Sequence, residues 1–225
     1  MDFNDTAQEA DFREEVKTWL KDNVPSEAEL IGLDYIGRAK LWQKRKYDAG
    51  WACLRWPKEH GGRGASAIEQ VIFNQEESKY QTPDSIFSIG QGMCAPTMMT
   101  WATEEQNERF MPLLASGEEV WCQLFSEPAG GSDLAALRTR AVKDGDDWIV
   151  SGQKIWTSGA QHSDYGILIT RTDPDVPKHK GLTMFFLDMR SPGIDIRPIK
   201  QFNGGLLQLL GAPPKAFGAV QIQSV

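Results

Sequence analysis

Apolar residues recur at helical spacing through the first half of the chain. Phe12, Val16, Trp19 and Leu20 fall on one face, behind the capping-box pattern Thr6 to Glu9 and ahead of the stop signals Asn23 and Pro25, which predicts an amphipathic helix. A second helix is predicted over residues 35–49, closed by Gly50, and a third carries Ile68, Val71, Ile72 and Gln75 along one side. The loop between them, residues 56–64, holds Gly61, Gly62 and Gly64, too many glycines for a helix. A less regular stretch over 83–96 leads to a second capping box at Thr103-Glu104-Glu105-Gln106, backed by Phe110, Leu113 and Leu114 and stopped by Gly117.

From Val120 the period changes. Short runs rich in β-branched and aromatic residues occupy 121–125, 138–143, 148–156, 165–171, 182–189 and 194–199, and turn formers separate them. Asp144-Gly145-Asp146-Asp147 reads as a hairpin and Ser191-Pro192-Gly193 as another turn. Helices followed by strands predict an α+β arrangement and speak against alternating parallel βαβ units. The expected organisation is a helical domain over 1–118, a small β domain over 119–205, and an atypical segment over 206–225 that fits neither pattern.

Composition narrows the class. The 225 residues carry a formal charge of −7 and are 40% hydrophobic, as expected for a soluble acidic globular protein. No stretch reaches the ~18 consecutive apolar residues of a membrane span, and Met1-Asp2-Phe3-Asn4-Asp5 lacks signal-peptide character, so a cytoplasmic location is expected. The acidic balance and the absence of a long basic cluster argue against a nucleic-acid surface. Cys53, Cys94 and Cys122 form no CxxC pair, so packed thiols are expected and neither a disulfide framework nor a metal site. Asp195 is the last of the 31 acids, which sets the C-terminal end apart.

Two segments could carry chemistry. Ser126-Glu127-Pro128-Ala129-Gly130-Gly131-Ser132-Asp133 follows a predicted strand, and its glycine amides and the Ser132 hydroxyl could turn towards a phosphate; an ordinary Gly-Gly turn is the competing reading. Trp156-Thr157-Ser158 ends another strand with an aromatic plane beside two hydroxyls. It suits stacking on a flat heteroaromatic ring, or a core tryptophan with a polar turn. His60, His162 and His179 lie apart in polar loops without a nucleophile elbow, and only His162 is near a candidate segment. Gly90-Gln91-Gly92 lacks the strand-to-helix setting of a dinucleotide fingerprint.

Taken in order, the Trp56-Pro57 loop with Gly61-Gly62-Arg63-Gly64, the Thr103 helix start, Phe125-Ser126-Glu127-Pro128-Ala129-Gly130-Gly131-Ser132-Asp133 and Gly152-Gln153-Lys154-Ile155-Trp156-Thr157-Ser158 resemble the acyl-CoA dehydrogenase family of flavoenzymes. The resemblance runs over about residues 11–205. Leu124-Phe125 ahead of the Ser-Glu pair, and Ala102, depart from the usual pattern and resemble the bacterial enzymes for long-chain or polycyclic acyl-CoA.

The resemblance implies an all-helical N-terminal domain, then a small antiparallel β-barrel, with the family's C-terminal helical bundle missing from this chain. It implies FAD as cofactor, lined by Gln123, Leu124, Phe125, Ser126, Gly130, Gly131 and Ser132 and covered by Trp156, Thr157 and Ser158. Ser132 would also reach the acyl-CoA substrate. The implied reaction is α,β-dehydrogenation of an acyl-CoA thioester in fatty acid or lipid metabolism. An electron-transferring flavoprotein is the implied acceptor, and intact relatives are homo-oligomers.

The family's catalytic glutamate lies in the bundle, so no catalytic residue is assigned here; Glu127 is read as an organiser of its loop through backbone amides. A truncated dehydrogenase is the first expectation. The alternatives are a non-catalytic FAD or acyl-CoA binding module that needs a partner chain, and an inactive remnant.

Overall fold

The computed structural model describes residues 4–83, 85–199 and 217–223. The chain divides into two compact units, one within 1–85 and 98–118, the other within 86–97 and 119–225.

The first unit is helical: α1 (Ala7–Asn23), α2 (Glu27–Leu30), α3 (Tyr35–Asp48), α4 (Ala67–Glu77) and α6 (Glu104–Ser116). Three of its N-termini carry the full reciprocal cap expected where Ser or Thr stands three residues before Glu or Gln: Thr6 with Glu9, Ser66 with Glu69 and Thr103 with Gln106. Val16 and Leu20 of α1 are fully buried against Trp42, Trp51, Leu54 and Phe73. Their aromatic rings stack in pairs, Trp19 on Trp42 at 5.4 Å and Trp51 on Phe73 at 5.5 Å. The face of α4 differs from the expected one. Ile72, Phe73 and Glu76 are buried, whereas Ile68 and Val71 are about half exposed. Arg13 of α1 reaches across to Glu76 at 2.8 Å and Gln75 at 3.0 Å, which satisfies the carboxylate that this face buries beside Ile72 and Phe73.

The later part of the stretch read as irregular over 83–96 is more regular than its pattern suggests. Gly90–Cys94 makes a π-helical turn that runs on into α5 (Ala95–Trp101).

Among the described residues the second unit holds a seven-stranded sheet: β1 (Trp121–Leu124), β2 (Arg140–Asp144), β3 (Asp147–Ser158), β4 (Tyr165–Arg171), β5 (Leu182–Asp188), β6 (Ile194–Ile199) and β7 (Phe217–Gln223). The strand path is β1-β4-β2-β3-β7-β6, with β5 pairing β4. Asp144 pairs Asp147 across the predicted two-residue turn. The helices followed by a small sheet are as expected, but the pairing is not wholly antiparallel: the sheet is mixed. β1 runs parallel to β4, from Trp121 opposite Tyr165 to Leu124 opposite Leu168. This close parallel approach is allowed by Gly166, where a Cβ would sit 2.7 Å from Leu124 Cδ1 and 3.0 Å from Cys122 Sγ. Cys122, Leu124, Ala141, Val150, Ala160, Leu168, Leu187 and Met189 fill the core on one face.

The atypical segment expected over 206–225 lies mostly outside the described residues, as do Asn203, Gly204 and Gly205. Its described part, Phe217–Gln223, is strand β7, paired antiparallel with both β3 and β6. No helix among the described residues is long and apolar enough to cross a membrane.

Candidate functional site

The two candidate segments are neighbours in the second unit. The Ile155 amide donates to Ser126 O at 2.9 Å, and Lys154 Nζ donates to Phe125 O at 3.1 Å. Strand β3 is irregular at this point. Lys154 lies opposite Val220 and Thr157 opposite Gly218, so three steps on β3 span two on β7. That is a β-bulge, and its extra residue adopts the left-handed conformation at Trp156, with φ of +62°.

The bulge decides where each side chain points. Strict alternation after the inward Lys154 would bury Trp156 and expose Thr157. With one residue inserted, the pattern is reversed: Trp156 is 58% exposed and Thr157 is buried. An aromatic plane is thereby turned outward one residue after Ile155, whose amide joins Ser126 O, a setting suited to covering a flat ring.

Glu127 organises the first segment from inside. Its Oε2 accepts from the Arg138 amide at 2.7 Å; its Oε1 accepts from the Thr139 amide at 2.8 Å, the Thr139 hydroxyl at 2.6 Å and Lys154 Nζ at 2.9 Å. Burial by itself would raise the carboxyl's pKa, but the Thr139 and Arg138 donors and the Lys154 ammonium outweigh it and hold the group below the usual carboxylate range. Burial pushes the Lys154 ammonium below its usual value, against the pull of Glu127. The amides that Glu127 holds belong to the strand entry eleven and twelve residues on, so its reach is longer than the loop-local role read from sequence.

The remaining expected residues divide into three groups. Ser132, Gly130, Gly131 and Ser158 are exposed, while Gln123, Phe125 and Ser126 are half-buried. Leu124 and Thr157 have their side chains in the interior, so any contact they make with a ligand on the surface is through backbone. Gly130 exchanges both backbone bonds with Glu127 at 3.0 Å, so its amide is already committed to closing the Pro128-Ala129 turn. A Cβ at Gly130 would meet nothing within 4 Å, whereas one at Gly131 would press on Ser126 Oγ at 3.0 Å. Asp133 is tied to Lys178 at 2.7 and 2.8 Å. His162 sits exposed in the single 3-10 turn Ala160–His162 after Ser158. No group of three or more His, Cys, Asp or Glu side chains suited to a metal occurs among the described residues.

Lys154 and Thr139 were not singled out by their sequence. A signal was present for Lys154: it continues the inward register of Val150 along β3, which demands an internal counter-charge. Nothing in the spacing identifies Glu127 as that partner, because 27 residues separate them.

The outward tryptophan, the uncluttered Gly130 and the exposed Ser132 and Ser158 hydroxyls fit a flat, phosphate-bearing cofactor such as FAD. Comparison with known proteins agrees with this setting. The family models described as "Acyl-CoA dehydrogenase, N-terminal domain" and "Acyl-CoA dehydrogenase, middle domain" match residues 6–118 and 122–205. Acyl-CoA dehydrogenase IpdE1 of Mycobacterium tuberculosis (strain ATCC 25618 / H37Rv) is 40% identical over 202 residues, covering 86% of this chain and 52% of that protein. The solved "Tcur3481-Tcur3483 steroid ACAD" is similar at 33% identity and a TM-score of 0.80, over 100% of this chain and 56% of that one. The ChsE4-ChsE5 complex from Mycobacterium tuberculosis is similar at 33% identity and a TM-score of 0.78, again over 100% of this chain and 56% of that one. The chain thus spans about half the length of these relatives. With both domain models matched in order across the helical unit and the sheet, the chain belongs to the acyl-CoA dehydrogenase family.

Proposed function

We propose that this chain supplies the flavin- and acyl-CoA-binding half of a dehydrogenase that introduces an α,β double bond into an acyl-CoA thioester. The observation that carries the reading is the bulge that turns Trp156 outward on the stretch of strand whose Ile155 amide joins Ser126 O. Bound FAD supplies the chemistry of accepting the β-hydrogen as hydride. Trp156 covers one face of the ring system and excludes water from it, while Thr157 and Ser158 contribute backbone and hydroxyl donors at its rim. Gln123, Leu124, Phe125 and Ser126 would line the flavin, Gly130, Gly131 and Ser132 would line its phosphates, and Ser132 would also reach the CoA portion.

No described residue is assigned the removal of the α-proton. Glu127 is unsuited to it, since both carboxylate oxygens are filled by four donors inside the protein. The relative named for a steroid substrate favours a bulky acyl group. The setting is cytoplasmic lipid breakdown, with an electron-transferring flavoprotein receiving the electrons.

A second reading, a binding module completed by a partner chain, is favoured because two of the solved relatives carry the names of two components each. Visible absorbance of the purified chain with added FAD tests both readings. A bound-flavin spectrum that bleaches anaerobically with an acyl-CoA supports the enzyme, and a bound flavin that does not bleach supports the module. Failure to take up FAD, both alone and with a partner chain supplying the missing part, removes both.

A further inference from the structure

Lys154 has no solvent exposure, yet it carries a charge that burial opposes. An interior lysine is costly, and it persists only where the protein supplies its partners. Its position relative to the bulge accounts for it. Lys154 is the last regular residue of β3 before the inserted one, and its ammonium reaches the two places that define the other segment: Phe125 O at 3.1 Å and Glu127 Oε1 at 2.9 Å. The following amide, Ile155 N–H, has left the β7 ladder and donates to Ser126 O instead. Glu127 in turn holds the Arg138 and Thr139 amides. One ammonium therefore registers three stretches of chain: the exit of β1, the approach to β2 and the bulge of β3.

We propose that Lys154 is a positioning residue for the cofactor site. Through Phe125 O and Glu127 it pins the bulge that turns Trp156 outward. The inference rests on the flavin reading above and names the group that makes that reading geometrically possible. Without the ammonium, the inserted residue has no fixed register against Phe125–Ser126. Trp156 can then return to the regular inward alternation, relieving its left-handed backbone.

The test compares the full-length chain with Lys154→Met, with the milder Thr139→Val and with Leu187→Ala. Thr139→Val removes one donor to Glu127 and leaves the lysine in place. Leu187→Ala weakens the same sheet core at a strand that makes none of these contacts. FAD affinity is read from quenching of flavin fluorescence, and hydrogen exchange of the Ile155 amide is read against the Leu168 amide of β4.

Lys154→Met is expected to weaken FAD binding about tenfold or more and to deprotect Ile155 selectively, in line with the 10–100-fold effects of removing supporting groups from a site. Thr139→Val shifts both readouts in the same direction by less, and it carries the test if Lys154→Met does not fold. Leu187→Ala lowers the melting temperature while leaving the affinity of the folded fraction near wild type. Wild-type affinity and Ile155 protection in the folded Lys154→Met variant, or in Thr139→Val where that variant is unfolded, overturn the positioning role alone. A wild-type chain that takes up no FAD, both alone and with a partner chain supplying the missing part, overturns the flavin reading and the positioning role with it.

Discussion

Lys154 Nζ lies 2.9 Å from Glu127 Oε1 in the interior of the sheet unit, with the lysine side chain fully shielded and the glutamate side chain 7% exposed. A pair so shielded is costly to create and costlier to break. Removing either partner is expected to destabilise the chain by about 3 kcal/mol or more, because an uncompensated charge is left inside. Replacing both, as in Lys154→Met with Glu127→Leu, removes the charges together but strands the Arg138 and Thr139 amides. It should therefore cost less than the two single effects summed. Urea denaturation of the four proteins gives the coupling directly, and additive losses would show that the two side chains act independently.

Acid should loosen the helical unit through Glu29. Its carboxylate accepts the Ser26 amide at 2.8 Å, Arg45 Nη2 at 2.6 Å and the Ser26 hydroxyl at 2.9 Å, and these bonds lower its pKa to about 2 from 4.5. Between these values the unfolded chain binds the extra proton, so stability rises with pH across this window. The contribution is complete above about 4.5 and is lost as the pH falls through about 2. Glu29→Gln should flatten that part of the urea-midpoint profile and leave the profile near neutrality parallel to wild type.

Trp156 pays for its outward display with a left-handed backbone, at a cost of about 1 kcal/mol for a bulky residue. Asparagine tolerates that conformation, and little buried area is lost because the indole is 58% exposed. Trp156→Asn should therefore melt no lower than wild type without FAD. Its FAD affinity should drop about tenfold, the upper end of what one aromatic contact contributes. A lowered melting point together with unchanged affinity would remove Trp156 from the site.

Two glycines separate packing from ligand approach. At Gly166 an added methyl collides with Leu124 and Cys122 in the core, so Gly166→Ala should cost about 2 kcal/mol or more from overpacking. At Gly130 the methyl meets nothing, so Gly130→Ala should leave stability within about 0.5 kcal/mol of wild type. Any loss of FAD binding in Gly130→Ala then reports contact with the cofactor itself, measured by titration beside thermal melting.

The three thiols should be inert in the folded chain. Burial pushes Cys53, Cys94 and Cys122 up to about 12, so almost no thiolate exists near neutrality. Reaction with a disulfide reagent at about pH 8 should be slow when native and should reach three equivalents in denaturant. Rapid native modification of all three thiols would indicate that the core around Cys94 and Cys122 opens, since Cys53 alone is only half-buried.

Local chemistry made much of this legible from the chain itself. The Thr6 and Thr103 caps depend on residues three positions apart, and the Gly145-Asp146 turn on two adjacent ones, so short-range pattern suffices for them. The order of helices then strands, and the two segments around Ser126 and Trp156, follow for the same reason. Three features came only from tertiary structure. The parallel β1–β4 pairing joins strands 44 positions apart through a gap at Gly166 that alternation does not encode. The inward face of α4 holds Ile72, Phe73 and Glu76, and Glu76 is bound there by Arg13 across 63 positions. The outward turn of Trp156 depends on an extra residue opposite Gly218 and Val220, which no two-residue period can announce. Hydrophobic period states which residues can share a face, but an interior ion pair and a strand's partner state which face is used.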